Sequence, residues 1–218
     1  MLALPPAIVA GEIVRLQTRQ HVVALTFDGG GNADGAKGVL TALRSGRAPA
    51  TFFLTGHFVQ SYPRVARVIG RSYPVGNHTV NHLDMRRLST PAATREIVQA
   101  QRMIKAATGR DPRPYFRFPY GARDARTMRI VHQLGYASVR WTVDTWGWMG
   151  TSQQSVSGAV RRVLDNLVPG EIVLMHLGSS RDHSTIDAHA LPAVIRLVHA
   201  RGYRFVTLAG IRAPRVSG

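Results

Sequence analysis

Two hydrophobic rhythms alternate along this chain. Short apolar, β-branched runs stop abruptly at polar residues or glycines, and the longer stretches between them repeat apolar positions every three to four residues. The runs at 21–27 (HVVALTF), 50–54 (ATFFL), 115–118, 137–143, 171–176 and 204–208 predict strands. Helices are expected at about 34–44, 62–70, 90–108, 126–134, 155–167 and 190–201, with Thr90 ahead of Pro91 as N-cap of the longest. This alternation predicts a mostly parallel α/β sheet with crossover helices, either an open doubly wound sheet or a barrel. No internal repeat or flexible linker interrupts it.

Composition narrows the classes. With 218 residues, 44% apolar, 18% charged, 21 Gly and 12 Pro, the chain can bury a core as one domain and is neither fibrous nor low-complexity. It reads as soluble: no apolar run approaches the ~20 residues of a membrane span, and the opening residues lack a signal-peptide pattern. Without Cys there is no disulfide or thiolate zinc site, so a metal would need His and carboxylate. Lys and Arg total 28 against 12 acids, a net +16, and only Lys37 and Lys105 are lysines. That charge predicts attraction to polyanions, yet the cations are scattered and no nucleic-acid motif is present.

The unusual polar residues fall at the ends of predicted strands, the face on which parallel α/β folds build active sites. Asp28 closes the first strand before three glycines and suits a general base, or else a turn-forming Asp. His78 and His82, four apart in NHTVNH, could reach one ion from a single helical turn. Arg117 in RFPYG could pair with Asp28, and a backbone N–H after Pro119 could face an oxyanion. His176 ends the strand IVLMH as a candidate proton donor.

Taken in order, TFDGG, HTVNH, RFPYG, VDTWGW and LMH resemble the five motifs of the polysaccharide deacetylases, the NodB-homology domain of carbohydrate esterase family four. The resemblance runs from about Val22 to Leu208. It implies a distorted (β/α) barrel, usually of seven strands, over 21–210, with 1–20 as an N-terminal extension and 211–218 as a tail. It further implies a divalent metal, commonly zinc, and hydrolysis of N-acetyl or O-acetyl groups on a polysaccharide. By that resemblance Asp28 is the base acting on water at the metal, His78 and His82 are ligands, and Arg117 orients Asp28. The Tyr120 N–H joins the metal at the oxyanion, His176 protonates the leaving group, and Trp148 and Asp144 lie along the substrate groove.

Two positions depart from the family pattern. Gly29 stands where a second Asp would be the third ligand, and Asp34 is the candidate replacement, or else an N-cap of the following helix. Gly147 stands where an Asp would support the catalytic His, leaving Asp144, Asp182 and Asp187 as possible supports of His176, with Asp187 equally a helix cap. The expected substrate is an anionic cell-wall polymer such as peptidoglycan, with chitin-like oligomers and acetyl xylan open. Such an enzyme works outside the cytoplasm, at the cell surface, so a signal or anchor is expected elsewhere. The competing expectation is a non-catalytic, cationic wall-binding or polyanion-binding module on the same barrel; an amidohydrolase for small cyclic amides is a third. Oligomeric state is not legible.

Overall fold

A computed structural model describes residues 11–209; the expected tail at 211–218 lies outside them. The strands are β1 (Glu12–Ile13), β2 (Val22–Gly29), β3 (Ala50–Leu54), β4 (Val75–Asn77), β5 (Tyr115–Phe116), β6 (Ala137–Val139), β7 (Val143–Asp144), β8 (Glu171–His176) and β9 (Arg204–Phe205). The helices are α1 (Ala36–Ser45), α2 (Gly56–Ser61), α3 (Pro63–Ser72), α4 (Thr90–Thr108), α5 (Ala125–Gln133), α6 (Val156–Asp165) and α7 (Ile186–Ala200). All pairings are parallel, in the order β1-β6-β5-β4-β3-β2-β8-β7, with β9 added at the start of β2. The result is a curled, barrel-like sheet with an eight-strand path in place of the expected seven.

Most differences from the sequence reading have local causes. Glu12–Ile13, expected in the extension, add to the sheet edge against Ser138 and Val139. The run at 137–143 splits because Arg140 donates to the Ile13 carbonyl whereas Thr142 donates to Ile172, so the chain changes partners midway. The helix expected at 62–70 is α3, and a short helix that the pattern did not predict, α2, precedes it, separated from it at Tyr62 ahead of Pro63. Ser89, whose hydroxyl accepts from the Ala92 N–H, caps α4 in place of Thr90.

Side-chain parity along the strands divides the core in two, because successive residues face opposite sides of a sheet. Val23, Leu25 and Phe27 of β2, Phe52 and Leu54 of β3, and Val173 and Met175 of β8 pack outward with helix residues in the main cluster. Val22, Ala24, Phe53 and Ile172 pack inside the curl with Val139 and Val206. The same alternation puts Thr26, Asp28 and His176 on the inner face at the strand ends. It puts Gly29 and Leu177 on the helix side.

Candidate active site

The inner face closes over an ion pair. Asp28 and Arg117 are 7% and 0% exposed, and Arg117 Nη1 donates to Asp28 Oδ1 at 2.7 Å. A buried guanidinium is tolerable only when its donors are satisfied. Here Nη2 reaches Thr26 Oγ1 at 2.9 Å and the Arg140 carbonyl at 3.1 Å, Nε reaches the Val139 carbonyl at 3.2 Å, and the group lies 4.1 Å from the centroid of the Phe53 ring. Burial pulls the Asp28 pKa upward, but the charge and hydrogen bond of Arg117, with the charge of His176, outweigh it and hold the carboxyl below its usual range. Asp28 is therefore an ionised acceptor with Oδ1 committed and Oδ2 turned to the histidines.

His78 follows β4 directly and is buried. Its Nδ1 lies 2.8 Å from the Arg117 carbonyl, so in the neutral ring Nδ1 carries the proton and Nε2 a lone pair. Burial pushes the His78 pKa down, keeping that neutral form. Nε2 sits 3.4 Å from Asp28 Oδ2. His82 packs against His78 with ring centroids 4.7 Å apart, and burial above all lowers its pKa to about 3. The two histidines are brought together, but by a loop: residues 78–82 are not helical, and Thr79 and His82 have φ of 67° and 57°. Glu96 of α4 pins this loop by accepting the Val80 and Asn81 N–H groups and the Asn81 amide. Sequence reasoning missed Glu96, which looks like any polar position of an amphipathic helix. Tyr120, at φ 59° and 71% exposed, lays its ring against His82 with centroids 4.6 Å apart.

His176 stands beside Asp28 in the β2–β8 register. Burial lowers its pKa, but Asp187, Asp28 and Asp144 outweigh burial and raise it above the usual value. Asp187, 3% exposed, accepts the His176 N–H at 2.7 Å through Oδ2, which is 3.8 Å from His176 Nδ1. Asp182 is elsewhere: it accepts from Thr151 N, Thr151 Oγ1 and Ser184 N, and so ties two loops without reaching His176. Asp144 accepts the Trp146 N–H at 2.8 Å and Trp148 Nε1 at 3.2 Å, which shapes the turn between them. Trp148 lies near His176, with ring centroids 6.5 Å apart, whereas Trp146 is the more exposed indole, with Arg162 stacked 3.3 Å from its ring centroid.

Asp34 plays neither expected role. Its Oδ2 meets His183 Nδ1 at 2.8 Å on the surface, and α1 is preceded by Gly35 with no side-chain cap. The glycine-rich loop is held outward instead, by Asn32 donating to the Ser179 carbonyl and Gly35 donating to the Leu177 carbonyl. Gly29 offers no substitute direction, since a Cβ there would meet Leu54 at 2.9 Å, Leu177 at 3.2 Å and Phe58 at 3.4 Å. Among the described residues, no group of three His, Asp or Glu side chains is arranged to hold a metal. Also among them, no helix is long and apolar enough to cross a membrane.

Comparison with known proteins gives the same frame. The family model described as polysaccharide deacetylase matches residues 15–139. A chitooligosaccharide deacetylase of Azorhizobium caulinodans is 30% identical over 94% of this chain and 91% of its own. The crystal structure of a peptidoglycan N-acetylglucosamine deacetylase superposes with a TM-score of 0.83 at 27% identity, covering 90% of both chains. A Bacillus anthracis protein described as a pseudoenzyme of the same family superposes equally, TM-score 0.83 at 28% identity, over 91% of this chain and 67% of its own. A parallel curled sheet, the five motifs at its strand ends and these matches lead to one conclusion: the chain belongs to the polysaccharide deacetylases of carbohydrate esterase family four.

Proposed function

We propose that this chain hydrolyses the acetyl group of an amino-sugar polymer at the cell surface, with Asp28 as general base and His176 as general acid. The observation that carries the reading is the Asp28–Arg117 pair, which leaves one ionised carboxylate oxygen facing the histidines beside His176. Asp28 Oδ2 accepts a proton from the attacking water, and Arg117 keeps the carboxyl ionised for that purpose. The backbone N–H of Tyr120 donates to the carbonyl oxygen as it gains charge. His176 gives its proton to the sugar nitrogen as the C–N bond breaks, leaving acetate and a free amine. An O-acetyl substrate would leave as an alcohol by the same transfer. The exposed Tyr120 and Trp146, with Trp148, suit stacking of sugar rings along the groove.

His78 and His82 are the side chains that would hold a divalent ion, zinc by family resemblance. The donor chemistry fits a cation held by these imidazoles, because the His78 Nε2 lone pair and the ionised Asp28 Oδ2 are two acceptors facing each other at 3.4 Å with no proton between them. When bound, such an ion supplies Lewis-acid polarisation of the acetyl carbonyl and a more acidic water. With two imidazoles in place of the usual three protein ligands, affinity is expected to be low. His78→Ala should abolish what zinc binding there is, read by elemental analysis.

The named relatives support chitooligosaccharide and peptidoglycan as substrates, and the +16 charge favours the acidic wall polymer. The incomplete ligand set and the likeness to a pseudoenzyme favour a second reading, a cationic wall-binding module. Acetate release from peptidoglycan fragments and chitin oligomers, with and without chelator, separates the two. Chelator-sensitive release supports the enzyme; salt-sensitive polymer binding without release supports the module.

A further inference from the structure

We infer that Asp187, entering from the first turn of α7 through the space left open by Gly147, is the positioning residue of His176. This rests on the reading of His176 as general acid.

Four observations converge on it. A Cβ at position 147 would overlap the Asp187 carboxylate, all three atoms of it, so a side chain at 147 and the carboxylate of Asp187 exclude each other. Asp187 does not cap its own helix: its Oδ2 takes the His176 N–H, and α7 has no side-chain cap at Thr185. Asp187 Oδ1 and His176 Nδ1 are both buried without a partner among the described residues. Buried polar atoms are nearly always paired, and here an acceptor and a potential donor lie side by side, with Oδ2 and Nδ1 already 3.8 Å apart. Of the other acids considered for this role, Asp144 is engaged by two tryptophans and Asp182 by Thr151 and Ser184. A small rotation of the imidazole lets Nδ1–H donate to Asp187, which turns Nε2 outward to deliver the proton to the leaving group.

Because Gly147 and Asp187 compete for one volume, the carboxylate should be movable from one to the other. The test compares wild type, Asp187→Asn, Asp187→Ala and the exchange Gly147→Asp/Asp187→Ala, each checked for folding by thermal melt. The first readout is the tautomer of neutral His176, from its imidazole ¹⁵N shifts assigned with His176→Gln. Wild type and the exchange variant should hold the Nδ1–H form, and both single variants should move to Nε2–H. The second is acetate release, where each single variant should lose on the order of 10²-fold in kcat and the exchange should recover at least tenfold. An unchanged tautomer in both single variants, or an Nε2–H tautomer in wild type, overturns the inference. If wild type releases no acetate while the tautomers shift as expected, the deacetylase reading fails and the Asp187 contact stands.

Discussion

Two glycines, Gly29 and Gly147, stand where the motif resemblance leads one to expect acids, and the structure treats them differently. At Gly147 the missing side chain is a gap that a carboxylate from another element fills; at Gly29 it is a close contact with Leu54, Leu177 and Phe58. The cause is geometric. Gly147 lies in a turn whose open side faces the start of α7, whereas Gly29 continues β2 in register with Leu54, so parity points it away from Asp28. A lost side chain can be replaced from elsewhere only where its space opens onto the site. Replacing Gly29 by Asp would therefore not simply return a ligand.

The largest effect should come from the inner face itself. Arg117→Ala strands the Asp28 carboxylate in a buried site and should cost about 3–5 kcal/mol in a urea melt, with acetate release lost as well. Gly29→Asp should cost about 2–4 kcal/mol without raising zinc affinity, because its carboxyl enters an apolar layer. A tighter zinc titration in that variant would break the comparison.

Glu171 shows what becomes of a buried acid that has no charged partner among the described residues. At the opposite end of β8 from His176 it is fully buried, its Oε1 has no hydrogen-bond partner among those residues, and burial pushes its pKa to about 8. Its folded pKa lies above the unfolded one, so between about pH 4.5 and 8 the unfolded chain releases this proton first and stability falls as pH rises. Glu171→Gln should remove that slope, and the gap between the two melts should widen toward pH 8.

The mildest test uses alanine at both glycines. Gly147→Ala displaces the pinned Asp187 carboxylate and should cost about 1–3 kcal/mol, relieved in part by Asp187→Ala. Gly29→Ala meets the movable methyl ends of Leu54 and Leu177 and the edge of the Phe58 ring, and gains from a less flexible unfolded chain, so it should stay within about 1 kcal/mol of wild type. Equal costs at the two positions would remove the distinction.

What was legible in the sequence follows from what pattern can encode. The strands at 50–54 and 171–176 and the body of α4 have strong periods, and they appear where the pattern puts them. The two-residue strands β1 and β7 are too short to carry a period; they exist through pairing with β6 and β8. Asp28, His78, His82, Arg117 and His176 are brought to one inner face as expected, because the motifs lie at strand ends and the fold gathers those ends. The loop geometry was not legible. His78 and His82 meet through positive φ angles and Glu96, and Asp34 was displaced by Asn32 and His183, none of which leaves a local signature.

The measurement that bears most directly on the account is acetate release by zinc-reconstituted wild type and Asp28→Asn side by side, with bound zinc determined in each. Both proteins should carry zinc, and Asp28→Asn should lose about 10²- to 10⁴-fold in release from peptidoglycan fragments. Equal release by the two proteins, or none from zinc-loaded wild type, would contradict it.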